Sequence, residues 1–187
     1  GSSLLGLGEA TAVCIPCGAA LGASWNPELI ERVGSMLGQE ARTKLARVLL
    51  APTINLHRSP LGGRDFESYS EDPLLSGRIA AAFVRGVQSQ GVATTCKHFV
   101  ANDAEFERRT IDSVVDQRTL REIYLVPFEI AVKEGGALGI MTAYNRVNGQ
   151  YCAEHEELIS GILRDEWGFE GFVVTDWFSA GSTEASS

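Results

Sequence analysis

Gly171-Phe172-Val173-Val174-Thr175-Asp176-Trp177 is a short apolar run that ends on a carboxylate flanked by Trp177 and Phe178. Four buried-type residues in succession read as a strand covered on both faces, which is the habit of parallel sheets. A barrel of parallel strands presents its chemistry at the C-terminal ends of those strands. Asp176, at such an end and beside aromatic rings, is placed to attack a bound ligand or to accept a hydrogen bond from it. Upstream, the apolar stretches 48–54, 92–96 and 138–144 have the same character, and each leads into polar residues.

Helical patterns separate these stretches. Asn26-Pro27-Glu28 is a helix start, with Asn as N-cap, Pro at the first helical position and Glu near the positive end of the dipole. Leu29, Ile30, Val33, Met36, Leu37, Ala41 and Leu45 follow at helical spacing. Asp72-Pro73 opens a second helix, with Leu75, Ile79, Ala82, Phe83 and Val87 on one face and Gly91 as its stop. A third carries Leu120, Ile123, Tyr124, Phe128 and Val132, with a kink expected at Pro127, after a polar loop over 102–116. A fourth holds Leu158, Ile159, Ile162, Leu163 and Trp167 and closes at Gly168. The alternation predicts an α/β fold, a partial (β/α)8 TIM-type barrel with parallel strands and outer helices. Four strands are clear and a fifth is a candidate at 12–15, so the chain is expected to hold the first half to five-eighths of a barrel. Its 187 residues suffice for a domain with a real core, but a complete barrel takes about 250.

The net charge of −8 argues against nucleic acid as a partner, since phosphates call for a basic face. No apolar run approaches the ~20 residues that cross a bilayer, so no membrane is expected. The start, with Leu4-Leu5-Gly6-Leu7-Gly8 and no basic region, does not read as a signal peptide. Cys14-Ile15-Pro16-Cys17 has the spacing of a redox or half-zinc motif, but Cys96 and Cys152 stand alone, and the pair reads as two small apolar loop residues. His57, His98 and Asp103 are irregularly spaced and there is no His-Glu-x-x-His helix, so no metal is expected.

Three loops or strand ends carry charge suited to a polar ligand. In Arg58-Ser59-Pro60-Leu61-Gly62-Gly63-Arg64-Asp65-Phe66-Glu67, the glycines allow a tight turn that brings Arg64 inward, where it can fork onto two hydroxyls or a carboxylate. The segment lacks the Gly-Lys-Ser/Thr ending of a phosphate loop; composition alone equally supports a surface loop with an Arg64–Glu67 pair. Lys97-His98 follows a buried stretch directly, and in a barrel both point into the mouth; a satisfied histidine at a strand end is the alternative. Tyr144-Asn145 ends another strand, where a phenol can hold a carboxylate in place or simply pack at the rim. Asp176 is either an ionised carboxylate surrounded by Lys97, Arg64 and Tyr144, or a helix N-cap.

These residues resemble glycoside hydrolase family 3. The segments that carry the resemblance are Arg58 to Pro73, Lys97-His98-Phe99, Asn102-x-x-Glu105-x-x-Arg108, Arg118-x-Leu120-Arg121-Glu122-Ile123-Tyr124-Leu125, Met141-Thr142-Ala143-Tyr144-Asn145-x-x-Asn148-Gly149 and Thr175-Asp176-Trp177. They fall in the family's order over about residues 11–180, and their flavour is that of its β-glucosidases. The resemblance implies a retaining hydrolase that releases terminal, non-reducing β-D-glucose from β-glucosides and cello-oligosaccharides, as in cellulose and other polysaccharide degradation, through a covalent glycosyl-Asp intermediate. It makes Asp176 the nucleophile, and Arg64, Lys97 and His98 the holders of the sugar hydroxyls. Tyr144 would contact the nucleophile, Met141 would line the pocket and Trp177 would wall it; Asn102, Glu105 and Arg108 read as loop scaffold. The partner is a small carbohydrate, and no cofactor or metal is implied.

The family's β-glucosidases take their acid/base from a Glu in a following domain. Residues 1–187 are therefore expected to be part of an N-terminal catalytic domain, truncated at both ends, without the second α/β domain and nearly inactive alone. The family's upstream Asp-Gly-Pro-x-Gly-x-Arg segment is not found in 1–12. A β-xylosidase or exo-glucanase of the same family is the nearer alternative, and an inactive scaffold or sugar-binding fragment the more distant one. Lys97-His98-Phe99 is followed by Val100-Ala101 instead of Pro-Gly, which argues against an N-acetylglucosaminidase. The substrate class slightly favours secretion, with the cytoplasm left open.

Overall fold

The computed structural model describes residues 12–179. The start at 1–8, which does not read as a signal peptide, most of the segment 1–12 and the small polar tail 181–187 lie outside the described residues. In chain order come α1 (Gly18–Gly22), α2 (Pro27–Thr43), β1 (Val48–Leu49), α3 (Pro73–Gln88), β2 (Ala93–Phe99) and β3 (Asp112–Ser113). Then follow α4 (Gln117–Thr119), a π-helical turn Leu120–Tyr124, α5 (Val126–Lys133), β4 (Gly139–Thr142), β5 (Arg146–Val147) and β6 (Gln150–Tyr151). A π-helix Glu157–Glu166 leads into β7 (Phe172–Thr175).

The expected strands assemble into one open four-stranded sheet, ordered β1-β2-β4-β7, with every neighbouring pair parallel. A helical segment lies between each strand of this sheet and the next, as parallel connections require. The core between sheet and helices holds Ile79, Phe83 and Val84 of α3, Phe128 of α5, Ile162 and Leu163 of the π-helix, and Cys96, Phe99 and Ile140 of the sheet. Phe99 meets Phe128 and Trp167 edge-on, with ring centroids 5.2 and 6.1 Å away. The predicted caps form: the Asn26 side chain accepts from Leu29 N at 3.0 Å, and Asp72 from Leu75 N at 2.8 Å.

Several expectations need correction. The fifth strand does not form: residues 12–17 carry no strand, and Val13 N donates to the Glu40 carboxylate of α2. The 48–54 stretch pairs regularly only at 48–49, because Pro52 has no N–H for the ladder. It still runs beside β2, with Ile54 N donating to Lys97 O at 2.8 Å. On α2 the buried stripe is Ile30, Gly34, Gly38 and Ala41, while Leu45 lies beyond the helix, 85 % exposed. Small residues win there because α2 and α3 nearly touch: a Cβ on Gly86 would sit 2.1 Å from Glu31 O, and one on Gly34 2.6 Å from Phe83 O. Pro127 does not kink a continuous helix; it sits in the first turn of α5, where its missing N–H costs nothing. The polar loop 102–116 contributes β3, which pairs with the unanticipated hairpin β5–β6. That hairpin turns at Asn148-Gly149, both at positive φ (50° and 91°), the backbone an Asn-Gly pair suits.

Candidate active site

Register sets the floor of the site. Lys97, Met141 and Val174 lie abreast on β2, β4 and β7, and Asp176 follows just past the end of β7. Met141 is buried. The adjoining main chain at His98 is held by the Asn55 carboxamide, which accepts from His98 N (2.8 Å) and donates to His98 O (2.9 Å). The imidazole Nε2 then lies 3.4 Å from Asp176 Oδ2 and 3.5 Å from Arg64 Nη1. Burial, and after it the charges of Arg64, Lys97 and Arg108, push the His98 pKa down to about 2. His98 is therefore neutral, and it meets Asp176 as a dipole, not as a cation.

Arg64 follows Gly63, whose φ of +96° makes the turn that aims it inward. Its Nε donates to the Glu67 carboxylate, and its Nη1 lies 3.7 Å from Glu105 Oε1. The Arg64–Glu67 pair thus exists and still leaves Arg64 facing His98. Lys97 is pushed down by burial; Glu67 and Asp176 work against this and Arg64 with it. Tyr144 is buried, and its hydroxyl sits between two acceptors, the Trp177 carbonyl and the Asp176 carboxylate. Asp176 turns inward, its side chain 13 % exposed. Burial raises its pKa, and Arg108, Lys97, the Tyr144 hydrogen bond and Arg64 offset that rise only in part. The Asp176 carboxylate does not serve as a helix cap; its backbone oxygen takes the Ser179 N–H in a turn.

Arg64, Lys97, His98, Tyr144 and Asp176 are brought together. Trp177 is 53 % exposed and borders them from outside. Sequence reasoning missed Arg108, read as scaffold. Its guanidinium lies over the Tyr144 ring, 4.8 Å from the centroid, and it is the foremost charge lowering Asp176. The hint was Arg108-Arg109 in a loop next to a strand end that holds Lys97. His57 turns instead to Ser68 O (3.1 Å), and among the described residues no three His, Cys, Asp or Glu cluster as a metal site.

The parallel sheet thus gathers cations, a phenol and a carboxylate at the C-terminal ends of its strands, where α/β barrels carry their active-site residues. The profile of the glycosyl hydrolase family 3 N terminal domain matches residues 4–186. The chain belongs to that family. A β-glucosidase of Rhizobium radiobacter is 57 % identical over 183 residues, which is 98 % of this chain and 22 % of that protein. Among solved structures, β-glucosidase 3B of Thermotoga neapolitana in complex with glucose superposes with a TM-score of 0.88 at 53 % identity, over 91 % of this chain and 24 % of that one. The family 3 β-glucosidase of Bifidobacterium adolescentis gives 0.92 at 46 % identity, over 95 % and 26 %. The chain spans about a fifth to a quarter of the length of these relatives.

Proposed function

We propose that this chain carries the nucleophile and most of the sugar-binding clamp of a retaining β-glucosidase. The observation that carries the reading is the Asp176 carboxylate at the end of β7, half-buried and faced by Arg108, Lys97, the Tyr144 hydroxyl and Arg64. The names of the relatives and the glucose complex of a structural neighbour support the choice of sugar. Asp176 attacks the anomeric carbon and forms a glycosyl ester as the aglycone oxygen leaves with a proton. Water then breaks the ester, and configuration is retained. Arg64, Lys97 and neutral His98 hold the sugar hydroxyls by donated hydrogen bonds. Tyr144 steadies Asp176, Met141 floors the pocket, and Trp177 walls one side of the sugar.

Retention needs a second carboxyl about 5–5.5 Å from the first. Glu67 and Glu105 are occupied by arginines, and the family resemblance implies an acid/base Glu in a following α/β domain, outside residues 1–187. The test is Asp176→Gly in the complete protein. Turnover of an aryl β-glucoside falls by several orders of magnitude while the fold persists; turnover near that of the parent would overturn the assignment.

A further inference from the structure

Glu105 stands where two loops meet. Its N–H donates to Gly62 O at 2.9 Å, and its side chain crosses bare Gly63, where an added Cβ would lie 3.0 Å from Glu105 Cβ. One carboxylate oxygen lies 3.7 Å from Arg64 Nη1 and accepts from Asn102 Nδ2 at 3.2 Å. The other accepts from Arg108 Nη1 at 2.5 Å. The two guanidinium groups that it ties together both act on Asp176. They reach it from different loops, one after β1 and one after β2, and two guanidinium groups, both cationic and both donors only, cannot hold each other. The Glu105 side chain keeps 22 % of its surface exposed, so it fills no apolar gap.

We propose that Glu105 is a positioning residue: it locks Arg64 and Arg108 into one frame around Asp176, and the reaction depends on that frame and not on the charge of Glu105. The inference rests on the reading of Asp176 as the nucleophile. Position and charge act in opposite directions. If Glu105 acted by charge alone, its removal would leave the arginines unmatched and make Asp176 easier to ionise. If it acts by position, its removal frees Arg108 to swing into solvent, leaves Arg64 held by Glu67 alone, and makes Asp176 harder to ionise.

The experiment compares Glu105→Ala, Glu105→Gln and the parent, each as the complete protein, on p-nitrophenyl β-glucoside across pH. Glu105→Ala is expected to lower kcat/KM roughly 100-fold, the scale of a small misplacement of reacting groups, and to move the acid limb to higher pH. Glu105→Gln keeps one acceptor and recovers part of both effects, with a melting temperature close to the parent's; it also serves if the alanine variant does not fold. An acid limb that stays put or moves to lower pH overturns the proposal. A second arm needs no turnover: NMR of the arginine side chains should show slowly exchanging Nη–H protons on Arg108 that become fast in Glu105→Ala and keep part of their protection in Glu105→Gln, while the Arg64 Nε–H held by Glu67 stays protected. Unchanged exchange also overturns it. A parent that hydrolyses no β-glucoside would sink the functional reading alone, and the NMR arm would then decide the role of Glu105.

Discussion

His98 and Asp176 stand 3.4 Å apart, and the same three cations act on them in opposite senses. Burial disfavours charge on both, and the cations separate them: an imidazole beside three cations gives up its proton, while a carboxylate beside the same cations keeps its charge better than burial alone would allow. Asp103, a few residues past β2, shows burial with weaker help. Its carboxylate accepts from Leu56 N at 3.3 Å, and burial pushes its pKa up to about 6, with Arg58 opposing and Asp65 adding to the rise. The folded state therefore holds a proton that the unfolded chain releases above its usual value of 3.8. Stability is lost as pH rises from that value to about 6, and the whole penalty stands above it. Asp103→Asn keeps the acceptor for Leu56 and removes the charge. It should melt a few degrees above the parent at pH 7 and converge with it in acid; thermal melts across pH check this, and an equal or lower melt at pH 7 would contradict it. At this scale the sequence is legible where a strand points at a residue, as with Lys97, His98 and Asp176. Arg108 is not, because a loop places it and its partners Glu105 and Tyr144 reveal themselves only in space.

Among the elements, the sheet and its helices follow from patterns that local physics enforces. Caps at Asn26 and Asp72 begin α2 and α3 where expected, and apolar runs make the parallel strands. Where α2 departs from expectation, packing between elements overrides the local pattern. The stripe on α2 is written in glycines because α3 lies against it, so Gly34 and Gly38 take the fully buried positions, Val33 and Leu37 are only partly buried and Met36 is exposed. The β5–β6 hairpin carried its signal in Asn148-Gly149, but its strands are too short to show alternation. The glycine contact gives a direct test. Gly86→Ala places a methyl group against Glu31 O, a rigid backbone atom, and should cost about 1–3 kcal/mol or more. Denaturant unfolding of the complete protein measures it; a gain in stability, as expected for Gly→Ala in an uncrowded helix, would show that the two helices do not meet this closely.

On the scale of the molecule, four parallel strands present one carboxylate to a cationic mouth, and both edge strands, β1 and β7, lack an outer neighbour among the described residues. A closed barrel takes eight strands, and a retaining glycosidase takes two carboxyl groups. The proposed function carries both requirements: strands that close the sheet and a proton donor brought over Asp176. The relatives, of which this chain spans 22–26 %, have room for both. Trapping the glycosyl intermediate tests this account most directly. The complete protein is incubated with a 2-deoxy-2-fluoro-β-glucoside bearing a good leaving group, then digested and mapped by mass spectrometry. The predicted result is one fluoroglucosyl group per chain, on the peptide holding Thr175-Asp176-Trp177 and esterified to Asp176. A label on any other residue, with the Asp176 peptide unmodified, would contradict it.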